Sequence, residues 1–311
     1  MNEDIFFYDF AFNLIYILPA YAAVGGYISV NCDKEFNGNG SLEIVFYDEE
    51  LKKIIKGNPT EIFLKWGSFE GFITSYEFSE QQHRIMGMAL NGLMHRAVIP
   101  TVSSVTNTVE NIARGIITNN IPWLTLADRV GFTRNVTYST DTYKPCDELF
   151  QDLFDTDGGG YEITADIKNK AFVFKAKKTK QNELILSAGN LNAYNFVSDF
   201  NGKEIAYNGW YKDNSDIWHK VTEQSKSGIY DISCVLSADN NADALKELKA
   251  KKAEKGITAD IKSLKYGVDY EVGDIVRLQN DGTTQTKLIS SVNIHQDDGY
   301  GATPTFKDLE E

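Results

Sequence analysis

Along residues 1–95 apolar and polar positions alternate in short runs, the pattern of strands with one buried face. Ser41–Tyr47 sets Leu42, Ile44 and Phe46 on one side, and Glu61–Trp66, Phe69–Phe78 and His83–Leu90 add three more β-rich runs between Gly or polar turns. These runs predict a small antiparallel barrel or sandwich. An unpaired edge such as Ser41–Tyr47 would be a liability that pairing between domains or chains relieves. Within this stretch, Asp48-Glu-Glu-Leu-Lys-Lys-Ile-Ile predicts a short helix with an acidic first turn and Gly57 as its stop, placed to plug one end of the sheet.

The period then changes. Val109, Ile112, Ile116 and Ile117 share one helical stripe, predicting a helix over 108–118. Leu149, Phe150, Leu153 and Phe154 share another, predicting a helix over 146–155. Tyr161–Ile167 and Ala171–Lys177 read as a hairpin turning at Lys168-Asn-Lys170. Residues 96–183 therefore form an α+β unit inserted into β structure.

Residues 184–256 return to short strands, with turns expected at Asn201-Gly202, Asn208-Gly209 and Ser227-Gly228. They end in a helix over 242–255, capped near Asp239-Asn-Asn241 and closed by Lys251, Lys252, Lys255 and Gly256. Its apolar stripe is thin: Ala242, Leu245, Leu248, Ala253. In residues 257–311 the expected strands are Thr258–Leu264, Ile275–Gln279 and Thr286–Ile294. The fold class is mainly β with an inserted α+β portion.

Composition narrows the function. In 311 residues, 44 acidic side chains against 31 basic ones leave a net charge of −13, a surface that repels a phosphate backbone. The charge is uneven: −7 over 1–95, +1 over 96–180, −2 over 181–256 and −5 over 257–311. The apolar stretch Phe10–Val30 follows Glu3, Asp4 and Asp9 rather than a basic n-region, and Asn13, Pro19, Gly25 and Gly26 interrupt it. It reads as neither a signal peptide nor a membrane span. Cys32, Cys146 and Cys234 lack the number and spacing of a disulfide framework or zinc ribbon.

Candidate chemistry is sparse. Asp155-Thr-Asp-Gly-Gly-Gly160 through Asp166 has carboxylates at calcium-loop positions 1, 3 and 12. It lacks a ligand at Gly159, and a strand follows it, so it reads as a glycine-rich turn. Gly38-Asn-Gly40 precedes a strand rather than a helix and is a turn, not a phosphate loop. Lys175, Lys177, Lys178 and Lys180 read as a solvated strand end, and His83, His95, His219 and His295 are scattered without a partner at a catalytic offset. Catalytic, cofactor-binding and metal-binding residues are accordingly assigned to no position. Trp210-Tyr211 with Trp218 could stack on sugar rings, although such aromatics more often fill sheet faces.

Three stretches carry a family resemblance. The first is Asn37-Gly-Asn-Gly-Ser-Leu-Glu-Ile-Val-Phe46, followed by Gly57-Asn-Pro and Gly71-Phe-Ile-Thr-Ser-Tyr-Glu77. The second is Gly92-Leu-Met-His-Arg-Ala-Val-Ile-Pro100, and the third is Tyr266-Gly-Val-Asp-Tyr-Glu-Val-Gly-Asp-Ile-Val276, then Ile289–Asp298 and Pro304-Thr-Phe306. In order and spacing the chain resembles baseplate-hub and tail-associated proteins of tailed bacteriophages, the group of gp27-type hubs and the siphophage Tal and ReqiPepy6 Gp37-like proteins. The resemblance implies two small β-barrel ring domains, 1–95 and 257–311, with middle portions 96–183 and 184–256. It implies a homotrimer that closes the tail tube at the virion's tail tip after assembly in the host cytoplasm. Expected partners are a distal tail or tube protein, the tape measure protein and receptor-binding or tail-tip proteins. DNA would pass without specific binding, and neither a cofactor nor stable membrane insertion is expected. Gly40, Gly71, Gly92, Arg96, Gly273 and Asp274 are the motif positions expected to shape the fold.

Many tail-associated members continue into a peptidase or lysozyme domain, whereas this chain stops after Phe306-Lys-Asp-Leu-Glu-Glu311, which argues against lytic activity in this polypeptide. The ring-forming ends hold −12 of the −13 charge. Strand alternation then names Glu43, Glu70, Asp269 and Glu271 as carboxylates facing a channel. A carbohydrate-binding β module of a receptor-binding tail protein is the alternative function, and a peptidoglycan hydrolase has no catalytic constellation behind it.

Overall fold

Where hydrophobic side chains recur at every second position, the backbone extends and pairs; where they recur at three and four, it coils. In the computed structural model, which describes residues 3–20, 26–201, 205–251, 254–280, 283–297 and 299–309, half the chain is strand and 17% helix. The expectation of a mainly β protein with helices inserted holds.

The first segment contains β1 (Ile5–Asp9), β2 (Leu14–Leu18), β3 (Tyr27–Glu35), β4 (Ser41–Phe46), α1 (Glu49–Gly57), β5 (Ile62–Trp66), β6 (Phe69–Phe78) and β7 (His83–Ala89). A 3-10 turn over Leu90–Arg96 leads out of it. α1 begins where the sequence places it, because the Asp48 carboxylate accepts the Leu51 N–H at 2.8 Å. Its buried residues are Leu51 and Ile55.

Next come β8 (Val98–Ile99), β9 (Val102–Thr108), α2 (Val109–Asn120), β10 (Leu124–Leu126), β11 (Asn135–Thr140), β12 (Lys144–Pro145), α3 (Cys146–Asp155), β13 (Gly160–Asp166) and β14 (Ala171–Lys177). Both helices and the hairpin match the periodicity. β10 lies parallel to β14 in a three-stranded sheet. α2, α3 and this hairpin share one core with Leu90, Leu93 and Met94 and with Phe12, Phe63 and Phe72 of the first segment. Phe150 meets Phe174 edge-on at 5.6 Å. Each such buried ring or Leu contributes about 1.5–3 kcal/mol.

The rest comprises β15 (Lys180–Ser187), β16 (Ala193–Asn201), β17 (Asn208–Lys212), β18 (Trp218–Thr222), β19 (Ser233–Val235), α4 (Asn241–Ala250), β20 (Glu254–Ile261), β21 (Asp274–Asn280), β22 (Thr283–Gln296) and β23 (Tyr300–Asp308). The described chain divides into two units, residues 1–196 with 258–311 and residues 197–257. In the smaller unit Ala244 and Leu248 of α4 pack against Tyr211, Val221 and Leu236.

Several expectations need correction. α4 stops at Ala250 and Lys255 lies in β20, because beyond Leu248 the Lys-rich run offers no apolar side chain larger than alanine to bury. Ala242 is exposed and Ala244 takes its place in the core. Asn208-Gly209 is no turn but the start of β17, with Asn208 buried. Gly202, Lys252, Ala253, Gly282 and Asp298 lie outside the described residues. β4 is no edge, since it pairs with β3 on one side and β7 on the other.

The organising element is a sheet of 13 strands in the order β2-β1-β5-β6-β7-β4-β3-β22-β23-β20-β16, with β21 beside β22 and β15 parallel to β21. β22 joins the two ends of the chain. Its residues 283–288 pair with β21, its residues 291–296 pair with β3, and β23 runs along its other edge. At the changeover the Gly273 N–H donates to the Ile289 carbonyl and the Phe36 N–H to that of Ser290, both at 2.9 Å.

Candidate functional site

The sequence singles out carboxylates on the end segments and a set of motif residues, and the fold distributes them unequally. Glu43 points away from the core face of β4 and stays half exposed, with Arg84 at 3.6 Å. Asp269 and Glu271 are exposed, but a turn rather than a strand carries Asp269: its carboxylate accepts the Lys265 N–H at 2.7 Å, between the bridged residues Tyr266 and Tyr270. Glu70 is taken up inside the chain. Its side chain is only 11% exposed, one oxygen 2.6 Å from Lys65 Nζ and the other accepting the Ala165 N–H of β13 at 2.7 Å. Alternation correctly turns Glu70 away from Phe69, but the middle sheet occupies that side and leaves little of the carboxylate for a channel.

The motif residues shape turns and the junction. Gly40 has φ +58° and a Cβ there would strike the Asp33 carbonyl; Gly273 has φ +96° and lies under the Phe36 ring. No L side chain fits either site without strain. Gly71 packs against the Met88 carbonyl and Gly92 against the Met88 side chain. Asp274 is buried at the head of β21, where it accepts from Asn182 Nδ2 at 2.8 Å and from the Glu271 N–H at 3.0 Å. The Arg96 guanidinium sits between the rings of Phe10 and Phe72, 5.0 and 5.1 Å from their centroids, and donates to the Thr60 carbonyl at 3.0 Å. Burial pulls its pKa down.

A polar seam between the first segment and the middle core escapes the sequence reading. Asn91 is 6% exposed; its Nδ2 donates to the Gly38 and Tyr161 carbonyls at 2.9 and 3.2 Å, and its Oδ1 accepts the Ile163 N–H at 2.8 Å. Asp147, in the first turn of α3, accepts from Asn39 Nδ2 at 2.6 Å and pairs with His95 at 3.1 Å. Glu162 lies 2.7 Å from Lys34 and 3.6 Å from Lys177. Burial alone would raise its pKa, but the two ammonium groups hold it below the usual carboxylate range. Deeper in the middle portion, the buried Glu110 accepts the backbone N–H groups of Val130, Gly131 and Phe132 at 2.7, 2.8 and 3.3 Å. These bonds outweigh the burial that would raise its pKa, which is lowered. The one sequence signal is the lone amide in the apolar run Leu90–Met94.

All of this is bonding of a structural kind. Among the described residues no group of three His, Cys, Asp or Glu could hold a metal ion, and no helix is long and apolar enough to cross a membrane. No family model and no curated protein matches the sequence.

Solved structures do match. The 43 kDa tail protein of prophage MuSo2 from Shewanella oneidensis aligns over 98% of both chains with a TM-score of 0.58 at 14% identity. The fold is that of a prophage tail protein. A tail protein from Neisseria meningitidis aligns over 99% of this chain and 97% of its own, with a TM-score of 0.58 at 12% identity. Prophage tail protein gp18 of Listeria monocytogenes aligns over 99% and 95%, with a TM-score of 0.55 at 14% identity. In this tail-protein fold Gly40, Gly92, Arg96, Gly273 and Asp274 stand at turns and at the junctions between elements, while Gly71 lies within β6, paired with β5 on one side and β7 on the other.

Proposed function

We propose that the chain is a structural, non-enzymatic hub protein of a phage tail. It assembles as a homotrimeric ring that closes the tail tube and passes DNA at ejection. The observation that carries this reading is the end-to-end likeness in fold to prophage tail proteins, over 98% of both chains in one case. The ring portion comprises residues 1–95 and 257–311; residues 96–183 and 184–256 form the middle. Glu43, Asp269 and Glu271 face the channel, where like charge repels the phosphate backbone and keeps the DNA from sticking. The partners are the distal tail or tube protein, the tape measure protein and the receptor-binding or tail-tip proteins, in a virion assembled in the host cytoplasm.

Light scattering tests the assembly: about 105 kDa is expected, three chains of 34.9 kDa, alone or after the neighbouring tail protein is added. A monomer under both conditions overturns the hub reading. Purified protein is also expected to leave a host cell-wall gel uncleared.

One observation favours a second reading. Trp210 and Trp218 are exposed on the face of β17 and β18 opposite the core residues Tyr211 and Val221, where sugar rings could stack. Binding on a glycan array that is lost in a Trp210→Ala, Trp218→Ala variant would support that carbohydrate-binding role.

A further inference from the structure

Helical spacing sets Asn111, Arg114, Gly115 and Thr118 on one side of α2, opposite the buried stripe of Val109, Ile112, Ala113, Ile116 and Ile117. With Asn107 near the end of β9, Leu126 at the end of β10 and Arg129 just beyond it, that side lines an open pocket of about 560 Å³. Leu126 is its one large apolar residue.

The other arginines are engaged elsewhere. Arg84, Arg134 and Arg277 face the carboxylates of Glu43, Asp157 and Glu183, and Arg96 lies between two rings. Arg114 and Arg129 have neither kind of partner among the described residues, in a chain with 44 acidic side chains, and both line this pocket. Each is nonetheless held in place. Arg114 Nη1 donates to the Ala127 carbonyl at 2.7 Å. Arg129 Nη1 donates to Asn111 Oδ1, and Asn111 Nδ2 in turn donates to Asn107 Oδ1 at 2.8 Å. A guanidinium carries more N–H donors than these contacts use, so both keep donors to spare. No carboxylate lines the pocket. Glu110, one turn before Arg114 and near enough to feel its charge, turns its oxygens to the N–H groups of Val130, Gly131 and Phe132. Asp128 is exposed and outside the lining.

We infer that this pocket receives a carboxylate side chain from an acidic peptide segment of a partner protein. Two guanidiniums fixed before binding suit the planar oxygens of a carboxylate, which Arg bonds in a forked geometry. The amide of Asn119 offers both a donor and an acceptor to the peptide groups on either side, and Thr118 Oγ1, which donates to the Arg114 carbonyl at 2.8 Å, can accept from them. Charge favours a peptide over a phosphate polymer. A chain of net charge −13 repels a nucleic acid along its length, whereas a short acidic segment meets only residues 96–180, the one portion whose net charge is positive. The site lies within a single chain, so the inference stands or falls separately from the trimeric ring.

The experiment follows the fluorescence anisotropy of a labelled hexaglutamate peptide titrated at low salt with the whole chain, as wild type and as three variants. Arg129→Gln removes an exposed guanidinium. Gly115→Glu adds a carboxylate where a Cβ meets nothing within 4 Å, at a helical position where any other residue but proline is the better helix former. Lys175→Gln, on an exposed position of β14, makes the same change in net charge away from the pocket. Saturable binding to wild type is expected, weakened by about tenfold or more in Arg129→Gln and Gly115→Glu and by less than about twofold in Lys175→Gln. Melting temperatures identify the folded variants, and either pocket variant decides the matter if the other fails to fold. Absence of saturable binding to wild type overturns the inference, as does equal affinity in the wild type and the folded pocket variants. A single-stranded DNA oligonucleotide of the same charge that binds more tightly than hexaglutamate, with the same dependence on Arg129 and Gly115, overturns the acidic peptide as the occupant.

Discussion

Replacing Asn91 by alanine tests whether the polar seam holds the first segment to the middle core. The substitution strips partners from three backbone groups at once: the carbonyls of Gly38 and Tyr161 and the N–H of Ile163. Each group left unsatisfied in a buried setting costs about 1–3 kcal/mol. A water entering the vacated space recovers part of that cost, so the net loss is about 3–5 kcal/mol. For a unit of this size, 1 kcal/mol lowers the melting temperature by about 2–4 °C, which predicts a fall of roughly 6–20 °C. Asn91→Asp is a sharper probe, because it keeps the acceptor for Ile163 but turns a carboxylate toward two carbonyl oxygens; it should destabilise at least as much. Thermal melts give the global number, and hydrogen exchange at Ile163 should accelerate selectively in the alanine variant. A loss below about 2 °C in both variants would refute the claim that this amide is a required joint.

Other perturbations follow from the same geometry. Glu110→Gln should cost about 2–3 kcal/mol at pH 7. Because the folded carboxyl titrates below its unfolded value, that difference is fully present above about pH 4.3 and disappears as pH falls through the folded pKa; urea midpoints of both proteins across pH measure it. Arg96→Lys retains charge but cannot stack between Phe10 and Phe72, so a loss of about 1–2 kcal/mol is expected in a denaturant titration. Reversing Glu43 and Glu271 to lysine should leave assembly intact, since exposed substitutions usually change stability by under about 0.5 kcal/mol. Ejection of the genome should then slow most at low salt, and wild-type ejection rates across salt concentrations would remove these residues from the channel wall.

What the sequence disclosed was local. α1, α2, α3 and the β13–β14 hairpin were legible because a capping side chain, a stripe of apolar residues or a turn lies within a dozen positions of what it organises. β2 and the start of β3 were not, because Phe10–Val30 is apolar on too many successive positions to alternate cleanly. Glu70 shows the limit of alternation: it tells which side a residue faces, not what covers that side. The lone amide of Asn91 among Leu90, Leu93 and Met94 was visible as an oddity, but its three partners lie 53 to 72 residues away. The pairing of β3 with β22 left no local trace either.

That pairing also sets a timetable. Val30–Glu35 finds its partner in Ser291–Gln296, so a chain emerging from the ribosome at about 5–20 residues per second carries an unfinished β3 for roughly 13–50 s. During that interval the strand is a target for mispairing with neighbouring nascent chains. Synthesis that stops before residue 291 leaves the flaw permanent, and such fragments should aggregate or be degraded. Only a chain translated past residue 296 can complete the sheet, which makes synthesis of β22 a condition for entering assembly.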